Sequence, residues 1–258
     1  MAAGTQDGPV GVVSPHLDDA VYSCGSLLCR RPGSHVVTVF TAGGRGEEPL
    51  APWDEASGIF KRGDDVMSVR REEDLEALAH AGAQAHHLGF WDNHYRLPPK
   101  VYLSRLRRRA QQAAKELAFG ALEVEVREAI ARQVHQLDVA TWFIPLGLWH
   151  VDHRLVAAAC TELARCSPEL GWVVYEELPY RRRLETEAAE LRRALVESGF
   201  GLEALPPEGG PVPGAGACKQ VMVECYRSQA KPMGEGIQLV LDSGESFFRL
   251  STGRPAHD

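Results

Sequence analysis

The chain has 258 residues, 44% of them hydrophobic and 24% charged, with a formal net charge of −7. That length suits one large α/β domain or two small ones with a sizeable core, and the acidic balance argues against non-specific binding to nucleic acid or anionic membranes. The sequence contains no apolar run of about 18 residues that would span a bilayer, and Met1 to Pro9 lacks the basic-then-apolar order of a secretory signal, so a cytoplasmic address without stable membrane insertion is expected.

Residues 10–13 are a β-branched run that stops at Ser14-Pro15, which predicts a buried strand. From Asp18 the period changes: Ala20, Val21, Cys24, Leu27 and Leu28 recur at helical spacing and end near Pro32-Gly33. Residues 35–40 predict a second strand, followed by a glycine-rich loop over 41–46. Its Gly43-Gly44-Arg45-Gly46 lacks the Lys-Ser/Thr ending of a phosphate loop. A helix is predicted over 70–81 with Gly82 as its stop, then a strand over 85–89. Two helices are predicted over 101–117 and 122–137, a strand over 139–145, a helix over 150–166 and a strand over 172–175. Beyond these, 184–198 is predicted helical, 206–217 a Pro/Gly-rich loop and 251–258 a frayed tail.

Strands alternating with helices predict a mostly parallel, Rossmann-like sheet with helices on both faces, an α/β fold. The expected organisation is one unit over 1–258, with the chemistry carried by 10–175 and a less defined part over 176–258. Six cysteines (Cys24, Cys29, Cys160, Cys166, Cys218, Cys225) make no C-x-x-C pair. They are expected to remain reduced and structural.

Two clusters carry the functional signal: Pro15-His16-Leu17-Asp18-Asp19 and His150-Val151-Asp152-His153. Each directly follows a predicted strand, so both fall on the carboxyl rim of one sheet, where ligands of such folds collect. His16 and Asp19 are three apart and can turn toward one point, as can His150 and His153. Two histidines plus one carboxylate suit a catalytic zinc with an open position, and also ferrous iron. The surplus carboxylate and imidazole supply an acid and a base. Against this stands capping of the first predicted helix by Asp18 or Asp19, and a histidine pair that is only surface decoration or a hydrogen-bonded core pair.

The first cluster resembles the A/P-H-P-D-D-E motif of the LmbE-like, or PIG-L, zinc de-N-acetylases, and the second resembles that family's H-P-D-H motif. Arg70-Arg71-Glu72-Glu73 with Gly82 is similar to the family's R-x-x-E helix, and Phe90-Trp91-Asp92 sits where the family often has an aspartate after a strand. The resemblance covers about 10–175 in the right order. It implies one zinc per chain held by His16, Asp19 and His153, with Asp18 as general base toward a water polarised by the metal. Protonated His150 would share the oxyanion charge, held cationic by Asp152. Arg70 and Asp92 would meet the substrate. Leu17, Ala20 and Val151 depart from the motifs without removing a ligand or the base.

The resemblance thus implies removal of acetyl from an N-acetylglucosamine-type sugar or conjugate, a small-molecule partner, in a bacterial thiol-cofactor or secondary-metabolite pathway. It leaves oligomerisation open. An amidase cleaving a cysteinyl or other acyl amide, and a non-catalytic metal-containing carbohydrate-binding protein, are the alternatives. Trp91, Trp149 and Tyr95 are candidates for stacking on sugar rings. His86, His87, His94 and the run Arg181-Arg182-Arg183 are expected to be structural or solvated.

Overall fold

The computed structural model describes residues 8–43, 49–96, 105–181, 183–206 and 215–252, with the backbone alone described over 105–118. The elements in chain order are β1 (Gly11–His16), α1 (Asp19–Arg30), β2 (His35–Ala42), α2 (Pro52–Ser57), α3 (Val66–His80), β3 (Gln84–Trp91), α4 (Asn93–Arg96) and α5 (Arg105–Gln136). There follow β4 (Thr141–Pro145), α6 (Val151–Cys166), β5 (Gly171–Tyr175), α7 (Leu178–Arg181), α8 (Glu185–Glu197) and β6 (Phe200–Ala204). The chain closes with α9 (Ala215–Cys225), α10 (Arg227–Met233), α11 (Glu235–Asp242) and β7 (Phe247–Thr252).

One seven-stranded sheet has the order β3-β2-β1-β4-β5-β7-β6. The first five strands in that order run parallel, and β7 pairs antiparallel with both β5 and β6. Successive strand residues point to opposite faces. Val13 and Val37 therefore join the core under α5, α6 and α8, while Val12 and Val36 join the core under α1, α3 and α9. This continuous burial on both faces is why the strands read as unbroken apolar runs. Gly11 is needed for close packing: a Cβ there would come within 2.4 Å of the Trp142 ring.

The sheet order turns at β1, which leads to β2 on one side and meets β4 on the other. Register between β1 and β4 is held only at Gly11↔Trp142 and Val12↔Phe143. Beyond those pairs the carboxyl ends part, leaving the crevice in which ligands of doubly wound sheets bind.

Several expectations are corrected. The two helices predicted over 101–117 and 122–137 are one, Arg105–Gln136, and 101–104 lie outside the described residues. Gly120, the apparent break, disfavours helix by about 1 kcal/mol against alanine. Packing of Val126, Ile130 and Val134 on the sheet outweighs that. Ala215 to Ala217 begin α9 and do not form a loop, while 207–214 are outside the described residues. Ser251 and Thr252 are not frayed: they pair with Gly201 and Phe200. The part after 176 adds two strands to the same sheet. Cys29 and Cys218 form a disulfide across 189 residues, so the expectation of six reduced cysteines fails. Local spacing cannot reveal a pair that only the docking of α9 on α1 brings together. Among the described residues, no helix is long and apolar enough to cross a membrane.

Candidate active site

His16 is the last residue of β1, and Asp19 opens α1. The turn between them is tight, because Asp18 has φ 131°, a conformation that L residues rarely adopt. Such backbone strain costs about 1–3 kcal/mol and persists only where neighbours enforce it. Here Ser14 does so: its hydroxyl donates to the His16 carbonyl at 2.7 Å and accepts from the Ala20 N–H at 3.0 Å. Ser14 thus does the capping. Asp18 makes no side-chain capping bond, and Asp19 Oδ2 accepts from the His16 N–H at 2.9 Å. Both carboxylates are directed elsewhere than the helix end, which removes the capping reading.

The second cluster enters from β4. Leu146 N–H donates to the Tyr175 carbonyl at 2.9 Å, and the chain then turns through Gly147, at φ 98°, where a Cβ would meet Ala157 at 3.0 Å. The buried Glu177 Oε1 accepts from Gly147 N and Leu148 N at 2.8 and 3.1 Å. His150 then caps α6, its Nδ1 accepting from the Asp152 N–H at 3.3 Å.

The two clusters meet. Asp19 Oδ2 lies 3.2 Å from His16 Nδ1 and 3.1 Å from His153 Nε2, and those nitrogens are 3.2 Å apart. A tetrahedral zinc holds its ligand atoms about 3.4 Å apart. Two imidazole nitrogens facing each other repel when both carry protons and when both carry lone pairs, and a shared cation removes the conflict. Behind each ring stands a buried carboxylate on the far nitrogen: Asp152 Oδ2 is 3.3 Å from His16 Nε2, and Glu177 Oε1 is 3.3 Å from His153 Nδ1. Carboxylates in that position fix the tautomer that aims a lone pair at a metal. The donor set suits a divalent metal. His16, His150 and Asp152 also lie within coordinating distance of one another, but both Asp152 oxygens are already engaged, by Arg96 and by Asn93 N–H at 3.0 Å.

Asp152 therefore does not do what the resemblance implied. Its carboxylate faces His16 and Arg96, and its nearest approach to His150 Nδ1 is 4.0 Å. Since His150 Nδ1 accepts a hydrogen bond, that ring is neutral with its proton on Nε2. Burial, aided by the His16 charge, lowers its pKa to about 4. Burial and the adjacent Asp19 push the Asp18 carboxyl up to about 8, against Arg70 and His16. Burial also opposes charge on His153, but Asp19 and Glu177 outweigh it and hold that pKa up at about 9. Asp19 is held well below the usual carboxylate range by His153 and His16, despite its burial.

These shifts predict a crossing in stability. An unfolded histidine titrates near 6.5 and an unfolded aspartate near 3.9. The metal-free fold favours protonated His153 and protonated Asp18, so both contributions are lost as pH rises toward about 9 and 8 respectively. A cation needs both groups deprotonated. The expected result is a melting temperature that falls for chelator-treated protein from about pH 6.5 to 9, while the increment on adding zinc grows. A flat profile for the metal-free protein would contradict the assignment.

The cluster opens into a cleft of about 440 Å³, a size suited to a sugar. Asp18, Arg70 and Asp92 line it together with His16, His150 and His153. Arg70 NH2 is 3.9 Å from Asp18 Oδ2, and its NH1 is 3.9 Å from Asp54 Oδ1. Asp92 Oδ2 is 3.8 Å from His16 Nε2. Of the aromatic candidates, Trp149 lines the cleft, stacked on Tyr180 with ring centroids 6.1 Å apart. Trp91 and Tyr95 are not among its lining residues, and Tyr95 donates to Asp54 Oδ2 at 2.7 Å. His94 and Arg183 line the cleft too, beyond their expected roles. His87 pairs with Asp74 and His86 with His35, as structural groups. Arg182 lies outside the described residues.

Glu177, Arg96 and Tyr180 were not identified from the sequence. Glu177 follows β5, and nothing in the spacing ties it to His153. Replacing it by glutamine keeps an acceptor for the loop N–H groups but removes the charge behind His153. Metal affinity should fall about 10–100-fold, read by competition with a chromogenic chelator; unchanged affinity would remove Glu177 from the site.

A model of the family described as PIG-L, GlcNAc-PI de-N-acetylase, matches residues 11–164. The chain belongs to the PIG-L family. A relative from Streptomyces fradiae, 2'-N-acetylparomamine deacetylase, is 32% identical over 194 residues. That match takes in 72% of this chain and 62% of the relative, so the chain spans less than two thirds of that protein's length. Among solved structures, a deacetylase of the teicoplanin biosynthesis pathway in a complex with bog superposes with a TM-score of 0.74 at 22% identity. The match covers 96% of this chain and 100% of that one. The zinc-inhibited form of teicoplanin deacetylase gives 0.73 at 22% identity, with the same coverage. At that identity the structures establish the fold: the mostly parallel α/β architecture of this PIG-L protein is shared over nearly its whole length.

Proposed function

We propose that this protein is a zinc-dependent amidohydrolase that removes the N-acetyl group from an aminosugar or aminosugar conjugate, the whole chain acting as one unit. The observation that carries the reading is the pair of imidazoles, each backed by a buried carboxylate at 3.3 Å and converging on Asp19. His16, Asp19 and His153 would hold the metal, one per chain. When bound, zinc polarises the acetamide carbonyl and brings the acidity of water toward neutral pH.

The chain's own groups do the rest. Asp18 accepts the proton of the attacking water and returns it to the departing nitrogen, so that water and amide become acetate and free amine. His150 is a neutral donor in this scheme, its Nε2–H offered to the oxygen that gains charge. Asp152 pairs with His16 Nε2, and the Glu177 carboxylate stands 3.3 Å behind His153 Nδ1. Arg70 lines the cleft, which supports donation by its guanidinium to a sugar hydroxyl, and Asp92 lines the cleft with it. Trp149 is 61% exposed and offers a face to a further ring.

The relatives are named as a 2'-N-acetylparomamine deacetylase and a deacetylase of the teicoplanin biosynthesis pathway, which supports a bacterial secondary-metabolite aminosugar as the substrate class; a cytoplasmic setting is part of the same proposal. Incubation of zinc-loaded protein with N-acetylated aminoglycoside and glycopeptide precursors should release acetate and amine in equal amounts. Chelation should abolish this and zinc should restore it. Release of a larger acid instead would favour the acyl-amidase alternative, and tight binding with no release would favour a carbohydrate-binding protein. Parallel anaerobic reconstitution with ferrous iron decides between the two metals.

A further inference from the structure

We propose that Glu76, His80 and Cys225 form a second divalent-metal site, at the seam between α3 and α9, for a cation of the zinc class. Their ligand atoms all lie within 4.8 Å of one another. Glu76 and His80 are one turn apart on α3 and so share a face. Cys225 ends α9 and is a free thiol, donating to the Val221 carbonyl at 3.3 Å. A carboxylate, an imidazole and a thiolate together select borderline-soft zinc over calcium or magnesium, which take oxygen ligands alone.

The backbone under these donors is fixed before any ion arrives. Next to Cys225, Tyr226 O–H donates to Asp74 Oδ1 at 2.7 Å, and Ser228 N–H donates to Glu73 at 2.9 Å, so α3 is tied to the segment after α9. The Cys29–Cys218 disulfide anchors the other half of α9 to α1. Helices held in this way keep the three donors within reach of one ion.

One competitor is present. Arg227 NH2 donates to Glu76 Oε2 at 2.8 Å, with the two side chains 61% and 47% exposed. A surface ion pair of that exposure contributes little, and it engages one carboxylate oxygen. On binding, the Cys225 S–H bond breaks, its proton passes to solvent and the sulfur pair goes to the cation. The ion would brace α3, the helix that carries Arg70 into the cleft. This site is independent of the proposed deacetylase reading.

The test is titration of the chelator-treated, full-length protein with cobalt(II). The expected result is two equivalents bound, with a thiolate-to-cobalt charge-transfer absorption in the near ultraviolet. Cys225→Ser should lose that absorption and one equivalent, and Asp19→Asn should keep the absorption while losing the other equivalent. His80→Gln lies on an exposed turn and leaves the thiol in place. It should weaken the absorbing site at least 10-fold. Absence of the absorption in the wild type, or its persistence in Cys225→Ser, overturns the site. Failure of the active site would show separately, as loss of only the equivalent that depends on Asp19.

Discussion

Asp18→Asn is expected to retain one zinc per active site and to lose about 10²–10⁴-fold in kcat. The substitution changes one atom and removes the ability to take a proton. Asparagine tolerates positive φ better than most residues, so the strained turn at Asp18 is kept. Asp18 is not among the atoms that converge on His16 and His153, which is why the metal should stay. Zinc content by atomic spectroscopy and single-turnover kinetics would be measured together. Full turnover in the variant would sink the assigned base, and loss of zinc would move Asp18 into the ligand set. In the wild type, the nearby cation favours the ionised carboxylate, so the acid limb of kcat/KM should lie below the value of about 8 that burial and Asp19 impose without metal.

Asp19→Ala should be as damaging for a different reason. Asp19 Oδ2 is the point at which His16 N–H, His16 Nδ1 and His153 Nε2 come together. Its removal leaves the partly buried His16 N–H without this acceptor, a penalty of up to about 1–3 kcal/mol. It also leaves two imidazoles 3.2 Å apart with nothing between them. The expected outcome is no stoichiometric zinc at the active site, background turnover and no thermal stabilisation from zinc at that site. The metal-free variant should also lose the raised His153 pKa, because Asp19 is its largest favourable neighbour. Its unfolding free energy should then vary less between about pH 6.5 and 9 than that of the parent. Retention of metal with full activity would show that other groups hold the cation.

Both experiments separate binding from chemistry, which the fold alone does not. Unrelated chemistries share α/β sheets, and the teicoplanin-pathway deacetylase structures are 22% identical to this chain. The discriminating features are side-chain contacts that belong to this chain: an Asp18 carboxylate that makes no capping bond, and imidazoles each backed by a carboxylate, Asp152 and Glu177.

The sequence by itself determined the parallel sheet and the place of the chemistry. Short β-branched runs ending just before His16 and before His150 mark strand ends, and alternation with helical periods puts those ends on one rim. These are local signals, each written within about ten residues. The pairing of His16 with His153 across 137 positions was legible only because both clusters occupied the same kind of place. What the tertiary structure decided were the partners at long range. Glu177 reaches His153 because β5 lies beside β4, and Arg96 takes Asp152 away from His150 because α4 follows β3 onto the same rim. Docking of α9 on α1 joins Cys29 to Cys218, and β7 folds back between β5 and β6 to extend the sheet. Such contacts leave no periodic trace along the chain, since burial and charge complementarity act between surfaces that meet only after the sheet has formed.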